Sequence, residues 1–235
     1  MKTKFAISLF LSFLISVTSF AQKIFMTGDP HVSGKAYPME IKKILDEEWP
    51  TAEFSYWGKA GAGFYTFNDT PAFMDSIYNA APDILLVHLG TNGCYAVAFN
   101  PEKTWNDIET FYGNVSSHLP DTKVIFVTPF YNKNHKLISK NGKKKTYGPW
   151  QVNENTRACS DLIIEFSKQH PGTYVIDNNA EAGTVFLDEP GLIREDYVHL
   201  TIEGYQVLGQ QVVDGLLDLL EAWAEDQPEE TWQEG

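Results

Sequence analysis

Cysteine is scarce: the chain of 235 residues holds only Cys94 and Cys159. That excludes a disulfide-dense scaffold, and their separation offers no zinc-ligand spacing. An oxidising compartment permits one bridge between them, but two buried free thiols is the simpler reading. Positive charge is also short, with 18 Lys and Arg against 31 Asp and Glu and a net charge of −13. Such a surface repels nucleic acid and anionic membranes unless a local basic patch intervenes. No long apolar run follows residue 20, and no segment repeats, so a bundle of spanning helices and a solenoid are both excluded.

The one apolar run stands at the start. Lys2 and Lys4 precede an uncharged stretch from Phe5 to Phe20, and Ser19-Phe20-Ala21 has the small-x-small form of a cleavage site. The stretch includes Ser8, Ser12, Ser16, Thr18 and Ser19 and falls short of the about 20 apolar residues a span requires. Residues 1–21 are therefore expected to be a removed signal peptide, giving an exported protein, periplasmic or secreted, with no stable membrane insertion. Loss of Lys2 and Lys4 takes the net charge from −13 to −15. Residues 22–224 suffice for one domain with a sizeable core, and the acidic tail from Glu225 to Gly235, with Pro228, is expected to fray.

Apolar runs alternate with helical patterns along the rest. Lys23 to Thr27, Glu53 to Trp57, Asp83 to His88, Lys123 to Thr128 and Thr173 to Asp177 read as strands, and the continuous apolar centres of the third and fourth suit burial on both faces. Ile41, Ile44, Leu45 and Trp49 share one helical face behind Pro38. Further helices are expected near 70–80, 103–118 and 150–169. A last one follows His199, with Leu208, Val212, Leu216, Leu219 and Trp223 on one side. The alternation predicts an α/β fold: a three-layer α/β/α sandwich around a mostly parallel five-stranded sheet.

Ligands of such sheets bind beyond the carboxyl ends of the strands. The residues there are Gly28-Asp29-Pro30-His31, Gly58-Lys59-Ala60-Gly61, Gly90-Thr91-Asn92-Gly93, the loop after Pro129, and Asp196-Tyr197-Val198-His199. In this order they resemble the SGNH, or GDSL-type, hydrolase family across essentially the whole chain after residue 21. The resemblance implies a flavodoxin-like sheet and ester hydrolysis without a cofactor or metal. It makes His199 the base and Asp196 its carboxylate partner, and Gly61 and Asn92 the oxyanion-hole donors. At the serine position of Gly-Asp-Ser stands Pro30, and Gly93 replaces the aspartate usual after Asn92.

Those residue types fit the chemistry. An imidazole can take a proton from the attacking oxygen and return it to the leaving alcohol, while a carboxylate holds its tautomer and balances its charge. Proline lacks both the hydroxyl and the backbone N–H, so catalysis through position 30 is excluded, although Asp29 can cap a helix with Pro30 at its first position. Ser33 is the nearest substitute nucleophile: in a helix starting at 30, positions 30 and 33 have Cβ atoms roughly 5–6 Å apart. His31 reads as a ligand contact, a second base or a solvated loop histidine. Asp29, His31, His88, Asp196 and His199 are all metal-ligand types, but their spacing matches no metal motif.

The loop from Tyr131 to Gly148 carries Lys133, Lys136, Lys140, Lys143, Lys144 and Lys145 and no acidic residue. Lys143, Lys144 and Lys145 are candidate contacts to an anionic ligand, against the alternative of a mobile solvated insertion. Trp57, with Tyr65, Tyr131 and Trp150, is a candidate sugar platform or a core aromatic. Two functions of different class stay open: an O-acyl esterase acting on carbohydrate or another small ester, and a catalytically silent scaffold that binds a glycan in the same cleft.

Overall fold

The computed structural model of the chain describes residues 22–94, 99–130, 136–138, 144–146, 149–179, 185–196 and 198–225. The expected signal peptide, Lys143, Tyr197 and the tail past 225 lie outside the described residues, as do the side chains of Cys94, Lys144, Lys145 and Trp150. All five expected strands form, each within a residue of its expected end. They are β1 (Lys23–Gly28), β2 (Glu53–Gly58), β3 (Ile84–His88), β4 (Lys123–Val127) and β7 (Thr173–Ile176). They make one parallel sheet of order β2-β1-β3-β4-β7. The lysine-rich loop contributes a separate antiparallel pair, β5 (Lys136–Ile138) and β6 (Lys144–Thr146), so the insertion has secondary structure of its own.

Several helices start on a side-chain cap. In α1 (Pro30–Ser33), Asp29 accepts the His31 N–H at 3.1 Å and Pro30 takes the first position. Next come α2 (Ala36–Glu48), α3 (Phe64–Asn68), α4 (Pro71–Ala80) and α5 (Thr91–Cys94). Helix α6 (Pro101–His118) is capped by Asn100, which accepts the Lys103 N–H at 3.0 Å. Then follow α7 (Pro149–Gln169), α8 (Val185–Asp188) and α9 (Ile202–Glu225), where the Thr201 hydroxyl accepts the Gly204 N–H at 3.2 Å.

Strand alternation splits the core in two. Ile24 and Met26, Ile84 and Leu86, Ile125 and Val127 point to the layer of α2 and α9, where they meet Ile41, Leu45, Leu208, Val212 and Leu216. Phe25, Leu85, Val87, Val124 and Phe126 point to the other layer, against Phe64, Phe67, Ile77, Ile108, Phe111, Ile163 and Phe166. Every residue of β3 is buried, as a central parallel strand requires. Cys159 is a buried free thiol.

Gly28 and Gly58 end paired strands opposite one another, and α1 lies directly on them. A Cβ at Gly28 would stand 2.5 Å from the His88 carbonyl oxygen and from Val32 Cγ2, and one at Gly58 would stand 2.6 Å from the Ser33 nitrogen. Gly28→Ala must therefore push α1 off the sheet edge. The expected cost is about 2–3 kcal/mol of stability, read as a lower midpoint in urea denaturation. An unchanged midpoint would show that this contact gives way freely.

Candidate active site

The sheet order reverses at β1, whose two neighbours are β2 and β3, so a crevice opens beyond its carboxyl end between β1 and β3. Asp29 closes the gap from below by donating its N–H to the His88 carbonyl at 3.2 Å, and Lys59 donates to the Gly28 carbonyl at 2.9 Å. The loops after β1, β2 and β3 are thereby pinned around one point.

Asp196 and His199 reach that point on a turn that builds itself. Asp196 Oδ1 accepts the N–H groups of Val198 and His199, both at 2.9 Å, while Oδ2 meets His199 Nδ1 at 2.8 Å. The turn is closed by Arg194 N–H donating to the His199 carbonyl at 2.8 Å and by the bridge between Ile193 and Leu200. Partial burial alone would raise the Asp196 carboxyl. The His199 and Val198 N–H donors and the His199 ring outweigh it and hold the group below the usual carboxylate range. The imidazole is thus oriented through Nδ1, leaving Nε2 as the atom that can exchange protons.

Gly61 and Asn92 come together across the β2 and β3 loops. Asn92 donates one amide N–H to the Ala62 carbonyl at 2.8 Å, which leaves its second N–H for a ligand. Gly61 has φ +80, a backbone shape suited to glycine, and it is exposed with nothing near a would-be Cβ. The neighbouring N–H groups of Lys59 and Ala62 are spent on Gly28 and Lys59 carbonyls, and no hydrogen bond occupies that of Gly61. Two donors held by their surroundings are what an oxyanion hole needs.

Pro30 is half-buried at the first position of α1. Ser33 does share its helical face by spacing, but the Ser33 hydroxyl donates back to the Pro30 carbonyl at 3.2 Å and its backbone lies over Gly58 on β2. The neighbour that faces His199 is His31, with ring centroids 5.8 Å apart. His31 is fully buried, which corrects the solvated-loop reading.

Beneath His199 lies a buried polar cluster whose extent the sequence does not announce. His31 Nδ1 pairs with the Tyr205 hydroxyl and His88 Nδ1 with the Tyr37 hydroxyl, each at 3.2 Å, and the two imidazoles stack at 5.7 Å. Burial pushes the His88 pKa down to about 3 and holds His31 well below its ordinary value, with His88 and His199 adding repulsion there. Burial also pushes the Asp29 carboxyl up to about 7, against the pull of the Thr91 hydroxyl and the His31 N–H. Proximity of His88 to Tyr37 joins residues 51 apart in sequence, and that of His31 to Tyr205 joins residues 174 apart, so no local pattern signals them.

The five possible metal ligands do not converge on one point: among the described residues, no group of three or more His, Cys, Asp or Glu side chains is placed to hold an ion. Trp57 packs its ring against Phe73 at 4.8 Å and Phe67 at 6.0 Å, on the core side of the β2 loop. Tyr65, in α3, is exposed, with the Lys103 ammonium 5.2 Å over its ring. Among the described residues, no helix is long and apolar enough to cross a membrane.

Residues 26–207 match the family described as the GDSL-like lipase/acylhydrolase family. No curated protein matches the chain. Among solved structures, a Parabacteroides merdae protein assigned as a GDSL-like lipase shares 16% identity at a TM-score of 0.63, covering 83% of this chain and 95% of its own. An acetylxylan esterase from Geobacillus stearothermophilus shares 14% at 0.61, covering 84% and 94%. At such identities the structural likeness speaks to the fold.

Proposed function

The chain belongs to the GDSL-like lipase/acylhydrolase family, and on that premise we propose that it hydrolyses O-acyl esters, foremost acetyl groups on an extracellular or envelope carbohydrate. The observation that carries this reading is the presence of a proton-transfer dyad and two donors on loops at the same edge of the sheet: His199 on Asp196 at 2.8 Å, and the Gly61 N–H with the Asn92 amide anchored on Ala62. An acyl carbonyl oxygen seated on Gly61 and Asn92 would turn its carbon toward the dyad, and His199 would hand a proton to the leaving alcohol.

The carbohydrate side of the proposal draws on the acetylxylan esterase likeness, and on Tyr65 as an exposed ring at the start of α3, after the β2 loop. A glycan carrying uronate or sulfate suits the cluster of Lys143, Lys144 and Lys145 within or beside the β5–β6 hairpin. Export follows from the expected cleavage after Ala21 and would bring the protein to such substrates.

Acetate release from p-nitrophenyl acetate and from acetylated xylan tests the reading. The chain without residues 1–21 should turn over both, and His199→Ala should lower kcat/KM roughly 10²-fold or more, the scale of one general base. Pro30 is the one observation that favours the silent scaffold. Saturable glycan binding with no acetate release would establish that reading and reject the esterase.

A further inference from the structure

We propose that the attacking oxygen is water, activated directly by His199, so that the ester is cleaved in one displacement with no acyl-enzyme. The inference rests on the esterase reading and concerns its nucleophile. Pro30 offers no hydroxyl, and the described hydroxyls around it are engaged elsewhere or shut away from solvent. Ser33 donates to the Pro30 carbonyl, Tyr205 pairs with His31 Nδ1 and Tyr37 pairs with His88 Nδ1, while the Thr91 hydroxyl is buried. Among the described residues, the only side chain hydrogen-bonded to the His199 ring is Asp196, and it occupies Nδ1. The His199 side chain is 35% exposed, so solvent reaches it without passing through protein. A base that is oriented, charge-balanced and open to water, with no nucleophile hydrogen-bonded to it among the described residues, has, together with the two donors proposed above, the parts of a general-base hydrolysis.

The step balances without any further reagent. His199 Nε2 removes one proton from water as the water oxygen bonds to the acyl carbon, and the carbonyl π electrons move onto the oxygen held by Gly61 and Asn92. Asp196 balances the imidazolium through Nδ1. The tetrahedral adduct then collapses: the carbonyl reforms, the bond to the alcohol oxygen breaks, and that oxygen takes the proton from His199 Nε2. Acid and alcohol leave, and His199 is neutral again. Pro30 suits this route, because a serine at that position would place its own hydroxyl on the base and exclude the water.

Time courses with p-nitrophenyl acetate, read beside a fluorophosphonate probe that labels hydroxyls activated by a neighbouring base, test the inference on the protein lacking residues 1–21. Nitrophenol release should be linear from the first turnover, and the probe should leave both the protein mass and, within twofold, the rate unchanged. His199→Ala should lose roughly 10²-fold or more of the rate. Pro30→Ser serves as the contrast and should take up the probe. A burst equal to the enzyme concentration, or stoichiometric labelling of the parent protein with loss of activity, would overturn the water route while leaving the esterase reading intact, and the labelled peptide would identify the true nucleophile. Full turnover in His199→Ala overturns it by removing the base. Absence of turnover in the parent protein rejects the esterase reading itself, and the water route with it.

Discussion

On the esterase reading, Pro30→Ser should raise kcat/KM for p-nitrophenyl acetate by roughly 10³-fold or more. Two missing groups return together. The hydroxyl supplies a nucleophile, and the backbone N–H supplies a further oxyanion donor, which by itself is worth on the order of 10²–10³ in rate. The groups proposed to serve the new serine are each held by their neighbours. Asp29 caps α1 through the His31 N–H, His199 is oriented by Asp196, and Asn92 is anchored on Ala62. The helix loses a residue suited to its first position, at a stability cost of about 1 kcal/mol or less through the freer unfolded chain. Steady-state kinetics together with an acetyl adduct mapped to position 30 would check the result. A folded variant with no gain over the parent would mean that the retained dyad and donors are not arranged for acyl transfer.

Much of this site was legible because the residues that make it sit at strand ends, and strand ends are marked by the change from apolar runs to Gly, Asp and Asn. The five strands emerge within a residue because each has an apolar centre bounded by turn residues. Asp29 was readable as a cap for the same local reason, as was the Asp196–His199 turn, whose three hydrogen bonds all span two or three residues. What was not legible depends on distant partners. His31 follows a proline at a helix start, a position usually open to solvent, yet Phe130 and Tyr205 close over it from elsewhere in the chain. Ser33 obeys the helical spacing, but spacing does not say that its hydroxyl turns back to the Pro30 carbonyl or that His31 is the ring beside His199. Trp57 is half-buried near the end of β2, and spacing does not say that Phe67 and Phe73 from the following helices pack against its ring. The short helices α3, α5 and α8, of four or five residues, are too brief to show a 3.6-residue period.

Acid should destabilise the protein through its buried histidines, and Asp29→Asn should make that loss steeper. His88 titrates near 3 in the folded chain and near 6.5 once unfolded, so the folded state binds fewer protons between those values. Its contribution is complete above pH 6.5 and falls away as the pH drops; His31, also depressed by burial, acts in the same sense. Their Nε2 atoms are buried without a hydrogen-bond partner, so a proton added there meets no acceptor. Asp29 works in the opposite direction. Its carboxyl holds a proton up to about pH 7 in the folded chain but only to 3.8 in the unfolded one, so acidification from pH 7 toward 4 favours folding at this residue. The His88 and Asp29 displacements are each worth on the order of 4 kcal/mol over their full windows and nearly cancel, leaving His31 to set a net loss. Asparagine keeps the oxygen that accepts the His31 N–H and cannot titrate, so the variant retains the cap and loses the compensation. Urea midpoints measured at pH 7.5 and pH 5 should fall for the parent protein, and the drop for Asp29→Asn should exceed it by about 2 kcal/mol. Surface carboxylates contribute equally to both proteins and drop out of that difference. Equal drops would mean that Asp29 is ionised in the folded state at pH 5, and with it that the floor of the crevice is wetter than the packing of His31, His88 and Tyr37 implies.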